Sequence, residues 1–399
     1  MARKTIAFAG LAAVVGTIAV AQPGGGFAER MQTALTEPLV GLTADGTVET
    51  GLFELKSTGA GTEDVRIAAE RFLASLSDEQ RERTVYTVDD SEWRNWANIH
   101  LFPRQGVSAR EMTEAQKELA YALMRASLSE RGYQTSRDIM RLNHTIAELI
   151  DNFQDYGEDL YFFTVMGEPS ADAPWGWQLD GHHLVVNYFI AGDQVVMTPV
   201  FMGSEPVTAE GGRYAGTTIM QPEQNEALAF MQSLDAGQRA DAILSAAKSR
   251  GENEAEMMRD NVTVAYEGLP AMRLDATQRQ ALLDLIGLYT GNIDDGHAAI
   301  RMEEVMAHLD RTFFAWKGSV ESNGVFYYRI HSPVIYIEFD HQGPTALAGT
   351  RGEATRNHIH SVVRTPNGND YGKDLLRQHM QRYANDPVHG HGESAFASR

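Results

Sequence analysis

Two parts of this chain repeat one another, and in both of them helical segments come before strands. The stretch GVSAREMTEAQ at residues 106–116 matches GLPAMRLDATQ at residues 268–278, at an offset of 162 residues. The stretch YFFTVMG at residues 161–167 matches TFFAWKG at residues 312–318, at an offset of 151 residues. We therefore predict an α+β fold in which two duplicated units, each with helices followed by an antiparallel sheet, form one pseudo-twofold globular unit. Chance similarity between amphipathic segments is the alternative.

The two ends of the chain differ in composition from the repeated parts. Arg3 and Lys4 precede an apolar run at residues 6–20, which ends close to the small residues Ala19 and Ala21. This pattern is typical of a secretory signal peptide and predicts a secreted or periplasmic protein cleaved near Ala21, with an uncleaved anchor as the alternative. We predict a signal peptide at 1–21, an N-terminal arm at 22–59, a first α+β half at 60–217, a second α+β half at 218–380 and a disordered tail at 381–399.

Charge and cysteine content narrow the possible functions. The formal net charge is −20 and the sequence has no basic stripe, so nucleic acid is not expected as a partner. Outside the N-terminal run no apolar stretch is long enough to predict membrane insertion of the mature chain. The lack of cysteine excludes a thiol nucleophile, an iron–sulfur cluster and a Cys-ligated zinc. A small-molecule substrate or ligand is the predicted partner, because the aromatic and amide side chains close to Arg104 suit a small polar ligand.

Histidines are the residues that most suggest chemistry. On a strand, His358 and His360 would project from the same face, where two imidazoles can chelate one cation. In the neighbouring pair His182 and His183, only one side chain can face a given site. Imidazole suits a divalent zinc, copper or iron ion, and a strand that carries histidines without any metal is the alternative. The predicted metal ligands are His182, His183, His331, His341, His358 and His360.

Other polar and aromatic residues surround these histidines in the sequence. Asp340 and Glu338 are candidate catalytic carboxylates, and Arg364 could hold an anionic substrate group. Packing of the tryptophans and helix capping by Asp370 are the alternatives to a binding role. The predicted substrate-binding residues are Trp96, Arg104, Trp177, Asn367, Asp370 and Lys373.

Several long motifs carry a family resemblance. WGWQLDGHHLVVN, HSPVIYIEFDHQG and HIHSVVRTPNGNDYGKDLLRQH, together with upstream W-x-N and RQG elements, resemble the family known as domain of unknown function 3500. The resemblance covers roughly residues 60–380. It implies no activity and therefore assigns no catalytic residue.

A secreted metal-dependent hydrolase that uses a metal-activated water is the function these observations favour. A copper or iron redox enzyme with the same site is one alternative. A non-enzymatic periplasmic protein that binds a small ligand or a metal is the other.

Overall fold

A computed structural model describes residues 26–347 and 352–384. These residues form a mixed α+β structure, as the sequence predicts. The helices of the described residues are α1 Phe27–Thr36, α2 Glu63–Ser75, α3 Asp78–Glu82, α4 Glu114–Ser127, α5 Glu130–Ile150, α6 Gln221–Ser233, α7 Ala236–Ala242, α8 Ala276–Thr290, α9 Asp295–Ala307 and α10 Lys373–Arg382. The strands are β1 Val85–Tyr86, β2 Val107–Ser108, β3 Tyr161–Met166, β4 Trp175–Gly181, β5 Leu184–Ala191, β6 Gln194–Val196, β7 Val200–Ser204, β8 Ile243–Ser245, β9 Leu269–Pro270, β10 Phe313–Gly318, β11 Phe326–His331, β12 Tyr336–His341 and β13 Ile359–Arg364.

All of these strands belong to one mixed sheet. Its order is β1-β3-β4-β5-β7-β13-β12-β11-β10-β8, while β2 pairs with β3, β6 with β5 and β9 with β10. The pairs β1–β3 and β8–β10 are parallel, and the other pairs are antiparallel. The antiparallel pair β7–β13 joins the first part of the chain to the second at the middle of the sheet.

Side chains on the two faces of the sheet differ in character because successive residues of a strand point to opposite sides. One side, the helix face, carries apolar residues such as Trp177, Val186 and Phe339, which share a core with α2, α4, α5, α6 and α8. The other side, the loop face, carries Val185, Phe201 and Val362 beside many polar residues. Irregular segments and α10 cover the loop face, so its polar residues are buried as well.

Matching capping boxes begin four helices. In the first part of the chain Thr113 caps α4, and the Gln116 amide also donates to the carbonyl of Ser75 (2.8 Å). In the second part Asp275 caps α8, and the Gln278 amide donates to the carbonyl of Ser233 (3.2 Å). Ser77 and Asp235 cap α3 and α7 in the same way. Each box satisfies backbone N–H groups that a helix otherwise leaves unpaired.

Three predictions concern the termini and the membrane. The predicted signal peptide and its cleavage site lie outside the described residues, as does the predicted tail from residue 385 onward. Within residues 26–347 and 352–384, every helix is too short or too polar to cross a bilayer.

Candidate metal centre

Three buried histidine rings meet at one end of the sheet. The Nε2 atoms of His358 and His360 are 3.0 Å apart, and that of His183 lies 3.2 Å from the first and 3.1 Å from the second. The residues are 6%, 3% and 8% exposed for His183, His358 and His360, respectively. Among the described residues, these three form the group that could hold a metal ion. We call them the His triad.

The sheet brings the three side chains together from distant parts of the sequence. His358 immediately precedes β13, and His360 is its second residue, so both project onto the loop face. His183 occupies the tight turn between β4 and β5, where its φ of 61° lies in the left-handed region. For a residue other than glycine, such a conformation costs about 1–3 kcal/mol and is concentrated at functional sites.

Backbone hydrogen bonds fix this turn against the neighbouring strand. The N–H of His183 donates to the carbonyl of Asn98 (3.2 Å), and its own carbonyl accepts from the N–H of Gly203 (2.9 Å). Gly203 lies on β7 and is the register partner of His360. The turn and the two histidines of β13 are therefore held by one short length of β7.

Oxygen acceptors orient two of the rings by pairing with their Nδ1 atoms. His358 Nδ1 lies 2.9 Å from the carbonyl oxygen of Gly343, and His360 Nδ1 lies 2.7 Å from Oε1 of Glu256. Since both partners accept, both Nδ1 atoms carry the proton and both Nε2 atoms of the neutral rings present a lone pair. Two lone pairs that face one another at 3.0 Å repel unless a cation lies between them.

Burial keeps two rings of the triad in the form that binds metal. Burial and the neighbouring histidines lower the pKa of His183 well below its ordinary value. Burial, then His360, does the same to the pKa of His358. Neutral imidazole is the form that ligates metals.

Two carboxylates lie outside the triad on the side away from the Nε2 atoms. Burial alone would raise the pKa of Glu256, but its electrostatic pairing with the His360 ring and hydrogen bonds from His360 and Asn253 more than offset it and lower that pKa. Glu205 Oε2 lies 3.7 Å from His358 Nδ1. Its carboxylate also accepts from the backbone N–H groups of residues 345–347. Two anions at this range would balance the charge of a buried dication.

The spacing of the three nitrogens suits an open coordination site. Zinc and imidazole nitrogen lie ~2.0–2.1 Å apart, whereas the triad nitrogens are 3.0–3.2 Å from one another. The three Nε2 atoms would hold such an ion as three protein ligands and would leave a coordination position for a water or a substrate.

The other predicted ligands do not reach the triad centre. His182 stacks on His183 with ring centroids 3.9 Å apart, and its Nδ1 pairs with Oδ1 of Asn143 (2.8 Å). His331 lies at the far end of β11, against the rings of Tyr266 and Tyr336.

His341 points to the opposite side of the sheet from the triad. Its Nε2 meets Oε1 of Gln224 on α6 (2.8 Å), and its Nδ1 accepts from the N–H of Phe326 (3.0 Å). Strand alternation separates it from its neighbour Asp340, which lies on the loop face.

The predicted catalytic carboxylates hold an irregular segment onto the loop face. Glu338 accepts from the N–H groups of Glu254 (2.8 Å) and Ala255 (2.9 Å), and from the hydroxyl of Tyr327 (2.7 Å). Asp340 accepts from Glu252 N–H (2.7 Å) and pairs with Lys248 (2.7 Å). Burial raises the pKa of Glu338 to about 7 and that of Asp340 to about 6.

Arg364 holds the same segment from the next strand. Its guanidinium donates to the carbonyls of Ala255 (2.8 Å) and Glu256 (3.0 Å) and to the carboxylates of Asp260 (2.9 Å) and Asp370 (3.0 Å). Arg364 is fully buried. Through the segment that carries Glu256, it supports His360 indirectly.

Most of the predicted substrate-binding residues also make internal contacts. Trp96 donates to the hydroxyl of Tyr371 (2.9 Å), and Trp177, on the helix face, donates to Ser127 (3.1 Å). Arg104 lies 3.1 Å from Asp180 and binds carbonyls of the preceding loop.

Asn367 and Lys373 lie towards the C-terminal end of the described chain. The Asn367 side chain accepts from the N–H of Glu49 (3.0 Å) and donates to the carbonyl of Pro333 (2.8 Å). Burial lowers the pKa of Lys373 to about 8, opposed by Asp89 and Asp90.

Sequence reasoning missed the residues that orient the rings. Glu256 and Glu205 lie in segments without helical or strand periodicity, and Asn143 lies in a helix more than thirty residues before its partner His182. No local signal in the sequence distinguishes these residues from other surface polar groups.

The fold and the site together define an α+β protein with a buried three-histidine group that can hold a metal ion. A family model described as protein of unknown function (DUF3500) matches residues 58–373. The chain therefore belongs to this family, and all three triad histidines lie within the matched range. No curated protein and no solved structure matches the chain.

Proposed function

We propose that this protein is a metal-dependent enzyme whose His triad holds one divalent ion with an exchangeable water. One observation carries the proposal: three Nε2 atoms converge within 3.2 Å while acceptors fix the protons of two rings on Nδ1. Zinc fits best because three neutral imidazoles and one water complete its tetrahedral shell.

Hydrolysis is the simplest chemistry for such a centre. His183, His358 and His360 would hold the ion through neutral nitrogens, and an ion held in this way would supply a bound water with a pKa lowered towards neutral. Asp340 and Glu338 are engaged with the segment at residues 252–255, so we assign proton transfer to the metal-bound water and solvent. The substrate is a small molecule because the triad is almost fully buried.

Metal analysis tests the proposal directly. We would purify untagged residues 22–399, reconstitute them in turn with zinc, copper and iron, and measure bound metal by inductively coupled plasma mass spectrometry. We expect about one ion per chain, lost in the variant His358→Gln/His360→Gln and retained in the matched control His331→Gln. A chain that takes up none of the three metals would contradict the proposal.

Two further measurements separate the classes of metal protein. A Co(II)-loaded protein should change its visible spectrum on addition of azide if a coordination position is open, and hydrolysis of p-nitrophenyl acetate should require the metal. An electron paramagnetic resonance signal from the protein as isolated would instead favour the copper redox alternative. An azide-insensitive spectrum would favour a structural or storage site.

We also propose that the chain is exported and cleaved near Ala21, on the basis of its basic start and the apolar run at residues 6–20. The mass of the protein recovered from the periplasm or medium tests this. An intact N-terminus would contradict it.

We infer that the two halves derive from one duplicated α+β unit. In the first half, β3, β4, β5 and β7 follow one another from near one edge of the sheet to its middle. In the second half, β10, β11, β12 and β13 follow one another from near the opposite edge, so that β7 and β13 are neighbours. Val200 of β7 pairs with Val363 of β13 at the junction between the two halves, which we call the seam. When the first four strands are superimposed on the second four by their pairing, Val200 falls on Val363.

The same superposition supports a metal site in one half only. By strand pairing, the counterparts of His183, His358 and His360 are Val334, Gln194 and Val196. Val334 and Val196 have no side-chain nitrogen or oxygen, and the Gln194 amide is already paired with the backbone of Lys56 (2.7 Å) and Glu54 (2.9 Å). These positions therefore do not form a second imidazole site.

A further inference from the structure

A pocket lies at the end of the sheet where these counterparts fall. It has a cavity of about 60 Å³, and its walls include Val195, Met197 and Ile293. Phe53 from the N-terminal arm and Leu375 from α10 complete the apolar lining. The cavity corresponds to roughly two water volumes and opens towards the surface. This pocket suits the carbon atoms of a small organic molecule rather than a metal ion.

One face of α9 supplies the imidazole and the guanidinium of the pocket. His297, Ile300, Arg301 and Glu304 all line the pocket. Their spacing of three, four and seven residues places them on the same side of a helix. His297 and Arg301, one turn apart, can therefore contact two groups of the same ligand.

His297 has a free ring nitrogen inside this region. Its Nδ1 lies 2.9 Å from Oδ1 of Asp294, whereas its Nε2 is buried and has no hydrogen-bond partner among the described residues. The whole residue is 4% exposed. A buried imidazole nitrogen left without a partner is destabilising. In the tautomer whose Nδ1 proton is directed at this carboxylate, Nε2 is left to accept from a proton donor such as a hydroxyl.

Donors lie beside this acceptor. Arg301 donates to the carbonyl of Val334 (2.6 Å) and to Oγ1 of Thr365 (3.1 Å), and its other terminal nitrogen meets Glu304 at the pocket wall (2.6 Å). Thr365 also pairs with the hydroxyl of Thr198 (2.7 Å). Only one of these two hydroxyl protons can lie between the two oxygens, so the other is available to a ligand.

We propose that this pocket binds a short-chain hydroxy acid. The carboxylate takes the place of Glu304 on Arg301 and accepts from the threonine hydroxyl pair, while the ligand hydroxyl donates to Nε2 of His297. The carbon atoms pack against Val195, Met197 and Ile293. The inference is independent of the metal centre, which lies at the other end of the sheet.

Three probes of similar size test the hydroxyl contact and the carboxylate contact separately. We would titrate lactate, propionate and 1,2-propanediol into residues 22–399 by isothermal titration calorimetry. We expect lactate to bind at least about fivefold more tightly than propionate, because propionate leaves His297 unpaired. We expect 1,2-propanediol to bind at least about tenfold more weakly than lactate, because it lacks the charge that Arg301 pairs with.

Variants assign each preference to its residue. His297→Gln should bring lactate and propionate within about twofold of one another, and Arg301→Gln should weaken both acids by at least about tenfold. Ile300→Trp fills the cavity and should abolish lactate binding. Met306→Trp, on the exposed side of the same helix, should leave it unchanged.

The proposal fails if the unmodified chain shows no lactate binding at 10 mM, because a dissociation constant above about 10 mM would be too weak for a specific site. It also fails if lactate and propionate bind equally, or if Ile300→Trp binds lactate as well as Met306→Trp does. Circular dichroism of each variant identifies any that does not fold. In that case the comparison of the three probes on the unmodified chain decides the outcome.

Discussion

A single carboxylate sets the orientation of one triad ring. Glu256 accepts from Nδ1 of His360 at 2.7 Å and is held by Asn253 Nδ2 at 2.9 Å. We predict that Glu256→Gln lowers metal affinity by about 10–100-fold, because the amide keeps the shape but removes the charge that supports the ligand. Competition with a chromophoric chelator measures this change.

Glu254→Gln is the matched control for this experiment. Glu254 belongs to the same segment but pairs with Arg329 instead of the triad (2.9 Å), so its replacement should leave metal affinity unchanged. Equal affinity in both variants and the unmodified chain would mean that Glu256 does not support the ligand.

Individual residues also show how far the sequence could predict the site. The one-residue spacing of His358 and His360 was sufficient to place both on one face, since strand geometry alone determines it. Choosing between His182 and His183 required the left-handed backbone of the turn, which no local preference of histidine indicates. Glu256 reaches His360 only because its segment folds across the sheet. Such a contact between residues far apart in the sequence has no local signal.

The irregular segment at residues 249–262 is held to the sheet mainly by charge. Its backbone N–H groups donate to Glu338 and Asp340, and its carbonyls accept from Arg364. We predict that Arg364→Met costs about 3–5 kcal/mol in unfolding free energy, because it leaves Asp260 and Asp370 buried without this partner. The variant should also lose metal affinity as Glu256 becomes displaced. Chemical denaturation and chelator competition measure the two effects.

Arg311→Met is the control for a lost arginine. Arg311 pairs with Glu49 in a largely exposed bridge, so its loss should cost less than about 1 kcal/mol and leave metal binding intact. If both variants lose the same small amount of stability, the buried network does not hold the segment.

The elements themselves were easier to predict than their surroundings. Alternation of apolar and polar residues along β12 and β13 identifies them as strands. Charged residues on one face indicate that this face is exposed to solvent or belongs to an active site. In the structure the N-terminal arm, the segment at 249–262 and α10 bury that face. Glu338, Asp340 and Arg364 bind backbone groups of the segment at 249–262, which strand periodicity could not reveal.

At the scale of the whole molecule, the seam between β7 and β13 joins the two parts of the sheet beside the His triad. Gly203 lies on this seam opposite His360, and its N–H donates to the carbonyl of His183. A Cβ at position 203 would lie 2.3 Å from the carbonyl oxygen of Ile359. We predict that Gly203→Ala costs about 1–3 kcal/mol in unfolding free energy, because backbone cannot move away as a flexible side chain does. Displacement of β7 against β13 should also lower metal occupancy.

Gly287→Ala is the matched control, since this glycine lies inside α8 with open space around it. It should stabilise the protein by about 0.5–1 kcal/mol, because alanine is the better helix former, and leave metal content unchanged. Thermal and chemical denaturation together with metal analysis of both variants measure the two effects. If Gly203→Ala loses stability but keeps its metal, the triad tolerates movement of the seam, and the turn that carries His183 must adjust independently of β7. If it loses both together, the seam that joins the two parts of the sheet also sets the spacing of the three ligands.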